Sequence, residues 1–211
     1  MYTPPAFRED DTAALHAMIA ASRLALLVSN GEEGLPQASH LPLLLDAGRG
    51  VLTGHLARAN PHWRGLQAAG RALAVFTGPE AYVTPAWYAS KAEHGRVVPT
   101  WNYVAIEAAG SVQVFEDAER LRGVVAALTA HHEAGRAAPW AVTDAPPDFV
   151  QAQLKGIVGI ELRIERLTGK RKLSQNRAAA DVQGVRDGLG ASADPRDRAV
   201  AAAMEGRDVH A

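Results

Sequence analysis

The chain contains no cysteine, which removes disulfides, thiolate metal sites and cysteine nucleophiles together. It carries little net charge, −1 at pH 7 over 211 residues. No global positive field therefore draws in nucleic acid, although a local basic patch remains open. Long hydrophobic runs are missing as well. The longest fall far short of the roughly 20 residues that cross a bilayer, so no membrane association is expected. The opening MYTPPAFREDD has no positive segment leading into an apolar one, and no signal peptide is read there. With the lack of cysteine, this makes a cytoplasmic protein the expectation. There is no G-x-S-x-G elbow. The nearest approach to a dinucleotide fingerprint, GRGVLTG, has its last glycine one place late and precedes a strand, so a Rossmann site is rejected.

What the chain does have is hydrophobic residues at 47%, enough for a real core and one domain. DDTAALHAMIAAS spaces Leu15, Met18 and Ile19 as a helix after Asp10 or Asp11, behind an extended arm with Pro4 and Pro5. RLALLVSN, the turn GEEG and QASHLPLLLD read as a hairpin, and VLTGH as a third strand. Asn60-Pro61 reads as a helix start and Gly70 as its end. ALAVFTG and EAYVTP are two further β runs about Gly78-Pro79, and PAWYASKAEHGRVVP is loop-like. TWNYVAIEAAGSVQVFED is one long strand, expected to bend or bulge near Gly110. Two helices, a last alternating strand through GIVGIELRIERLTG and two short helices complete the chain. Short connections favour an antiparallel barrel with helical decorations, an α+β arrangement that is mainly β. Closure would also remove exposed edges.

Three polar constellations stand out. Thr53, His55, Arg58 and Asn60 fall between a strand end and a helix start, where free N–H groups and an arginine fork suit a phosphate. A capped helix with solvated polar neighbours is the simpler account of the same pattern. In PTWNY, Asn102 lies between Trp101 and Tyr103. An amide suits the edge of a pyrimidine-like ring and aromatics suit a flat cofactor, although ordinary core packing also explains them. In KRKLSQN, Ser174, Gln175 and Asn176 follow Lys172 directly after the last strand, as a helix cap or as a polar ligand wall. His131 and His132 point about 100° apart on a helix and suit a helix C-terminus better than a metal. No metal site is expected.

Together, MYTPPAF, SHLPLLLD, GHLARANPHW, YVTPAWYASK, VPTWNY and KGIVGIELRIERLTGKRKLSQNR resemble the PaiB family of FMN-binding negative transcriptional regulators, in order and over most of the chain. The resemblance implies an FMN-binding split β-barrel over residues 1–169 with a C-terminal helical segment over 170–211. It implies a homodimer holding FMN between subunits. It places Thr53, His55 and Arg58 near the FMN phosphate, with Asn60 fixing the helix start and His40 facing the flavin. Trp101 and Asn102 come from a neighbouring strand, and Lys172, Ser174, Gln175 and Asn176 close the site. DNA is the partner that the family's function implies. The best basic stretch is 155–177, with seven cations against Glu161 and Glu165, although a solvated surface explains it equally. A flavin-dependent oxidoreductase acting on a small molecule is the alternative. His40, His55 and Tyr103 are then its candidate acid–base groups, and exchange of the flavin for haem is a third reading.

Overall fold

A computed structural model describes residues 1–31 and 34–205. The two central residues of the GEEG turn, Glu32 and Glu33, lie outside the described residues. Eight strands hydrogen-bond in the order β3-β2-β6-β7-β8-β5-β4, with the two-residue β1 (Arg8–Glu9) on β8. β2 (Ala25–Asn30) and β3 (Pro36–Leu41) form the hairpin, in register from Ala25 opposite Leu41 to Asn30 opposite Pro36. β4 (Leu44–Asp46) pairs with β5 (Val51–Ala57), and β5 pairs with β8 (Ile157–Lys172), with His55 opposite Gly159. These pairings, and that of β2 with β6, are antiparallel.

The sheet is not closed, which corrects the expectation of a closed barrel. QASHLPLLLD is not one strand. Pro42 has no N–H to give a ladder, and Pro42-Leu43 separates β3 from β4, the two ends of the hydrogen-bonded path. β5 accommodates this break through Gly54, where a Cβ would come within 2.6 Å of the Pro42 carbonyl oxygen and 2.8 Å of Leu43 Cδ2.

Other expectations also shift. The N-terminal arm is a 3-10 turn at Pro5–Phe7 followed by β1, which pairs Arg8 with Lys170. Gly78-Pro79 does not end a strand, because β6 (Arg71–Val83) runs through it. Instead the buried phase changes there, from Ala72, Ala74 and Phe76 to Ala81 and Val83. β7 (Thr100–Phe115) keeps its alternation through Gly110 and breaks phase only after Val112. Gly110 is therefore a close approach and not a bulge. A Cβ there would sit 1.8 Å from the Arg163 carbonyl oxygen. The segment read as a loop contains a 3-10 turn at Pro85–Trp87 and the short helix α3 (Ser90–His94). Lys170, Arg171 and Lys172 belong to β8 itself.

Local chemistry explains the main helices. Asp11 Oδ1 accepts the Ala13 N–H at the start of α1 (Thr12–Ala21). Asn60 Oδ1 accepts the His62 N–H at the start of α2 (His62–Ala69), and Gly70, at φ 63°, ends it. Asp117 caps α4 (Ala118–Glu133) by accepting the Arg120 N–H. α5 (Pro147–Leu154), α6 (Ala179–Gly190) and α7 (Pro195–Glu205) follow.

The chain groups into two compact units. One holds His16–Phe76 and Glu107–Leu167. In it, α4 and α5 bring Leu121, Val150 and Leu154 against Phe115, whose ring lies over Gly159. That cover explains why Val158 to Leu162 are buried without a break, where the sequence alternates. The other holds Met1–Leu15, Thr77–Ile106 and the described residues from Thr168. In it, Trp87 packs into a notch that Gly184 and Gly188 leave on α6.

Candidate functional site

In the first unit, β5 directs Leu52, Gly54 and Leu56 into the core and leaves Thr53 and His55 half-buried on its other face. His55 Nδ1 is buried without a hydrogen-bond partner. Burial pulls the His55 pKa below its ordinary value, so the ring is neutral at pH 7 and offers one donor and one acceptor. An orphaned ring nitrogen on an otherwise paired strand is what a polar ligand would satisfy.

The residues after β5 are fixed by the protein itself. Arg58 donates through Nε to the Lys155 carbonyl at 2.8 Å, through Nη1 to Glu116 at 2.5 Å and through Nη2 to the Ile157 carbonyl at 3.3 Å. Its fork thus ties the end of β5 to the start of β8. A cavity of about 330 Å³ opens beside it, between Glu116, Leu121, Gln151 and Lys155. Asn60 Nδ2 donates to Ser39 Oγ at 3.0 Å. His62 is 3% exposed and bridges Ser39 Oγ at 2.8 Å and Ser29 Oγ at 3.0 Å. This His62 clasp holds α2 on the β2–β3 hairpin. The sequence carried a signal for it: Ser29 and Ser39 occupy the buried phase of their strands, where a hydroxyl needs an internal partner. His40, one residue along, is exposed on β3.

In the second unit, Asn102 is fully buried. Its Nδ2 donates to Ser174 Oγ at 3.0 Å and lies 3.8 Å from Met204 Sδ, and its Oδ1 accepts from the Ser174 hydroxyl at 3.1 Å. Ser174 has φ 65°, a left-handed conformation that costs a non-glycine residue energy and is held by its surroundings. Lys172 Nζ donates to Thr100 Oγ1 and to the Trp101 carbonyl, each at 2.5 Å. Burial first, then the charges of Lys170 and Arg177, hold the Lys172 pKa below its ordinary value. Gln175 folds back, accepting the Leu173 N–H at 2.6 Å and donating to the Arg171 carbonyl at 2.5 Å. Asn176 is exposed. Trp101 is 54% exposed and meets Tyr82, 47% exposed, edge to face at 6.1 Å.

The structure therefore brings Thr53, His55, Arg58 and Asn60 onto one stretch of the first unit, with His40 on the hairpin. It gathers Trp101, Asn102, Lys172, Ser174, Gln175 and Asn176 in the second. Thr100 and Arg177, not singled out in the sequence, complete the second group. Among the described residues no group of three or more His, Asp or Glu side chains is placed to hold a metal.

An antiparallel sheet left open between β3 and β4, with helices flanking it, defines a split barrel. A solved FAD and heme binding protein from Mycobacterium smegmatis shares this fold, with TM-score 0.61 and 18% identity over 83% of this chain and 78% of that one. The family described as "Putative FMN-binding domain" matches residues 1–166, and the chain belongs to it. Protease synthase and sporulation protein PAI 2 of Bacillus subtilis is 31% identical over 207 residues, 97% of each chain. An uncharacterized protein of Emericella nidulans is 35% identical over 189 residues, 74% of this chain and 75% of that one. The cofactor of this family is FMN. Within the first unit, the orphaned buried ring nitrogen of His55 suits a polar group of such a cofactor. The second unit, taken by itself, offers a half-buried ammonium at Lys172 and an exposed aromatic pair.

Proposed function

We propose that this protein binds FMN as the sensed or structural ligand of a regulator of the PAI 2 type. The observation that carries a ligand on this face is the buried, unpartnered Nδ1 of His55 beside Thr53. The proposed contacts come in two groups: His40, Thr53, His55, Arg58 and Asn60 in one unit, and Trp101, Asn102, Lys172, Ser174, Gln175 and Asn176 in the other. Asn102 and Asn60 act by positioning, since their amides are bonded within the protein. The exposed Tyr82–Trp101 pair supports a homodimer, in which such a surface is covered. DNA is the proposed partner and the cytoplasm the proposed location. Of the basic stretch 155–177, the exposed cations Lys155, Arg163 and Arg166 supply the phosphate-backbone contacts, while Lys170 is buried and Arg171 half-buried within the protein.

FMN brings hydride and single-electron chemistry wherever it is bound. The second reading, a flavin-dependent oxidoreductase, is therefore tested in the same cuvette. Flavin absorbance is followed on adding FMN, then on adding NAD(P)H without oxygen. Bands that persist support the regulator and lead to gel shifts at physiological salt. Bands that bleach support the oxidoreductase. His55→Ala is expected to weaken both FMN and riboflavin. Arg58→Ala weakens FMN alone, by about 1.5–3 kcal/mol, if its fork leaves Glu116 for the phosphate. An absence of flavin uptake by the intact protein refutes the proposal.

A further inference from the structure

Lys172, Arg177 and Thr100 line, with Asn102, Ser174 and Asn176, a cavity of about 50 Å³. That is several times the space one water requires. No carboxylate lines it. Lys172 gives two of its three donors to Thr100 Oγ1 and the Trp101 carbonyl, and both acceptors are neutral. Thr100 Oγ1 accepts that bond, so its own proton is free to donate. The Arg177 guanidinium lies over the Tyr88 ring, 4.8 Å from its centroid. Among the described residues it makes no ion pair within 4 Å. The nearby carboxylate, Asp181, is engaged by the Ser90 N–H at 2.9 Å and the Ser90 hydroxyl at 2.8 Å. Lys170 adds a third charge, with its Nζ held by the Tyr2 carbonyl at 3.0 Å and 5.1 Å from the Tyr103 ring centroid.

Cations in proteins normally find carboxylates, because a half-buried charge without a counter-ion is costly. Here two cations, Lys172 and Arg177, line one cavity. Lys172 is held by a hydroxyl and a carbonyl, and Arg177 lies on an aromatic face, its nearby counter-charge, Asp181, being already bonded to Ser90. We propose that this cavity is an oxyanion pocket that takes a phosphoryl group, with Lys172, Arg177 and Thr100 as its donors. The rest of the lining is braced, since Asn102 and Ser174 are bonded to each other and Ser174 is held in its left-handed conformation. The depressed Lys172 pKa is consistent with a cation lacking its counter-ion. The phosphoryl group belongs either to FMN, which rests on the flavin reading above, or to free phosphate, which does not. Arg58 is the rival for the same chemistry, but its fork is already engaged.

The test is calorimetric titration of the intact protein with FMN, riboflavin and inorganic phosphate at fixed ionic strength, with chloride as the control. Wild type is compared with Arg177→Gln and Lys172→Met, and with Arg177→Lys as the conservative variant. Thermal melts confirm folding. Arg177→Gln is included because Lys172→Met also loses the ties to Thr100 and Trp101. Losing a charged hydrogen bond weakens binding about tenfold to a hundredfold. If FMN supplies the group, the preference for FMN over riboflavin collapses by that factor in Arg177→Gln and is partly restored in Arg177→Lys, while riboflavin is unchanged. If free phosphate supplies it, phosphate binding falls by that factor and the FMN preference stays. Unchanged phosphate binding together with an unchanged FMN preference in both folded variants overturns the pocket. A protein that takes up no flavin but loses phosphate binding in the variants keeps the pocket and sinks the flavin reading.

Discussion

The His62 clasp allows a quantitative test of what holds α2 in place. In His62→Ala, Ser29 Oγ loses its 3.0 Å partner and Ser39 Oγ loses its 2.8 Å partner, while Ser39 keeps the Asn60 amide. Both serines are buried. One orphaned buried hydroxyl costs about 1–3 kcal/mol and one lost bond about 1 kcal/mol. The vacated ring volume adds about 1 kcal/mol or more. The expected loss is about 3 kcal/mol, which for a chain of this size lowers the melting temperature by roughly 6–12 °C. A pH series then separates the ring from its volume. Burial lowers the His62 pKa in the folded state, so the unfolded chain binds more protons below about pH 6.5. Stability is complete above that pH and falls as the pH drops toward the folded pKa. His62→Ala should flatten that acid slope, leaving the share due to His55, whose pKa is lowered in the same way. The assay is calorimetric melting of both proteins from pH 8 to pH 5. A loss under 1 kcal/mol at pH 8, or an acid slope identical in the two, refutes the reasoning.

Three further outcomes are expected. Gly110→Ala puts a Cβ 1.8 Å from the Arg163 carbonyl oxygen, a backbone atom that moves only with its strand. It should destabilise by about 3 kcal/mol or more, read from urea midpoints at unchanged slope. Gly184→Ala places its Cβ 2.1 Å from the Trp87 carbonyl oxygen. Fluorescence of the tryptophans should shift, and amide exchange should quicken in 85–94 before the β2–β3 hairpin responds. Asp117→Ala removes the side-chain acceptor for the Arg120 N–H at 2.8 Å and should cost about 1 kcal/mol. Asp117→Asn restores most of it, and a melt of Asp117→Ala that matches wild type dismisses the cap.

Much of the fold was legible because local signals agreed with tertiary ones. Asp11 and Asp117 accept N–H groups at their helix starts, and Gly70 ends α2. At α2 the helix begins one residue later than the sequence suggested, with Pro61 at the N-cap and Asn60 accepting the His62 N–H from just before it. The misreadings have a common cause. Pro42 and Gly78-Pro79 are both punctuation marks in sequence, yet one breaks a strand and the other sits within one. The difference lies in the neighbours: Gly54 leaves room for a bend at Pro42, and a change of buried phase absorbs Pro79 inside β6. Gly110 looked like a bulge because a lone strand glycine has two explanations, and only the partner strand chooses between them. At the sites, residue type showed that polar groups gather but not what they bond to. Arg58 looked free for a phosphate, yet two carbonyls and Glu116 take its donors. Those partners lie some 58 to 99 residues away in the chain, beyond any local pattern.

The C-terminal helices matter to the second unit for the same reason. Met204 of α7 reaches the buried Asn102 amide, and the Ala203 carbonyl accepts from Arg171 Nη2 at 2.9 Å. Asp181 of α6 holds Ser90, and the glycines of α6 receive Trp87. The two ties from α7 run to Asn102 and to Arg171, the neighbour of Lys172, within or next to the segments that frame the Lys172–Arg177 cavity. The family match ends at residue 166, so these helices lie beyond the matched segment. Through α7 they nevertheless contact Asn102, which bonds Ser174, and Arg171, which precedes Lys172. A left-handed serine and a half-buried lysine satisfied by neutral acceptors are each unfavourable alone, while the doubly bonded buried Asn102 helps to hold them. They persist together because the surrounding contacts fix them, and that is the condition under which a cation can wait preorganised for an anion.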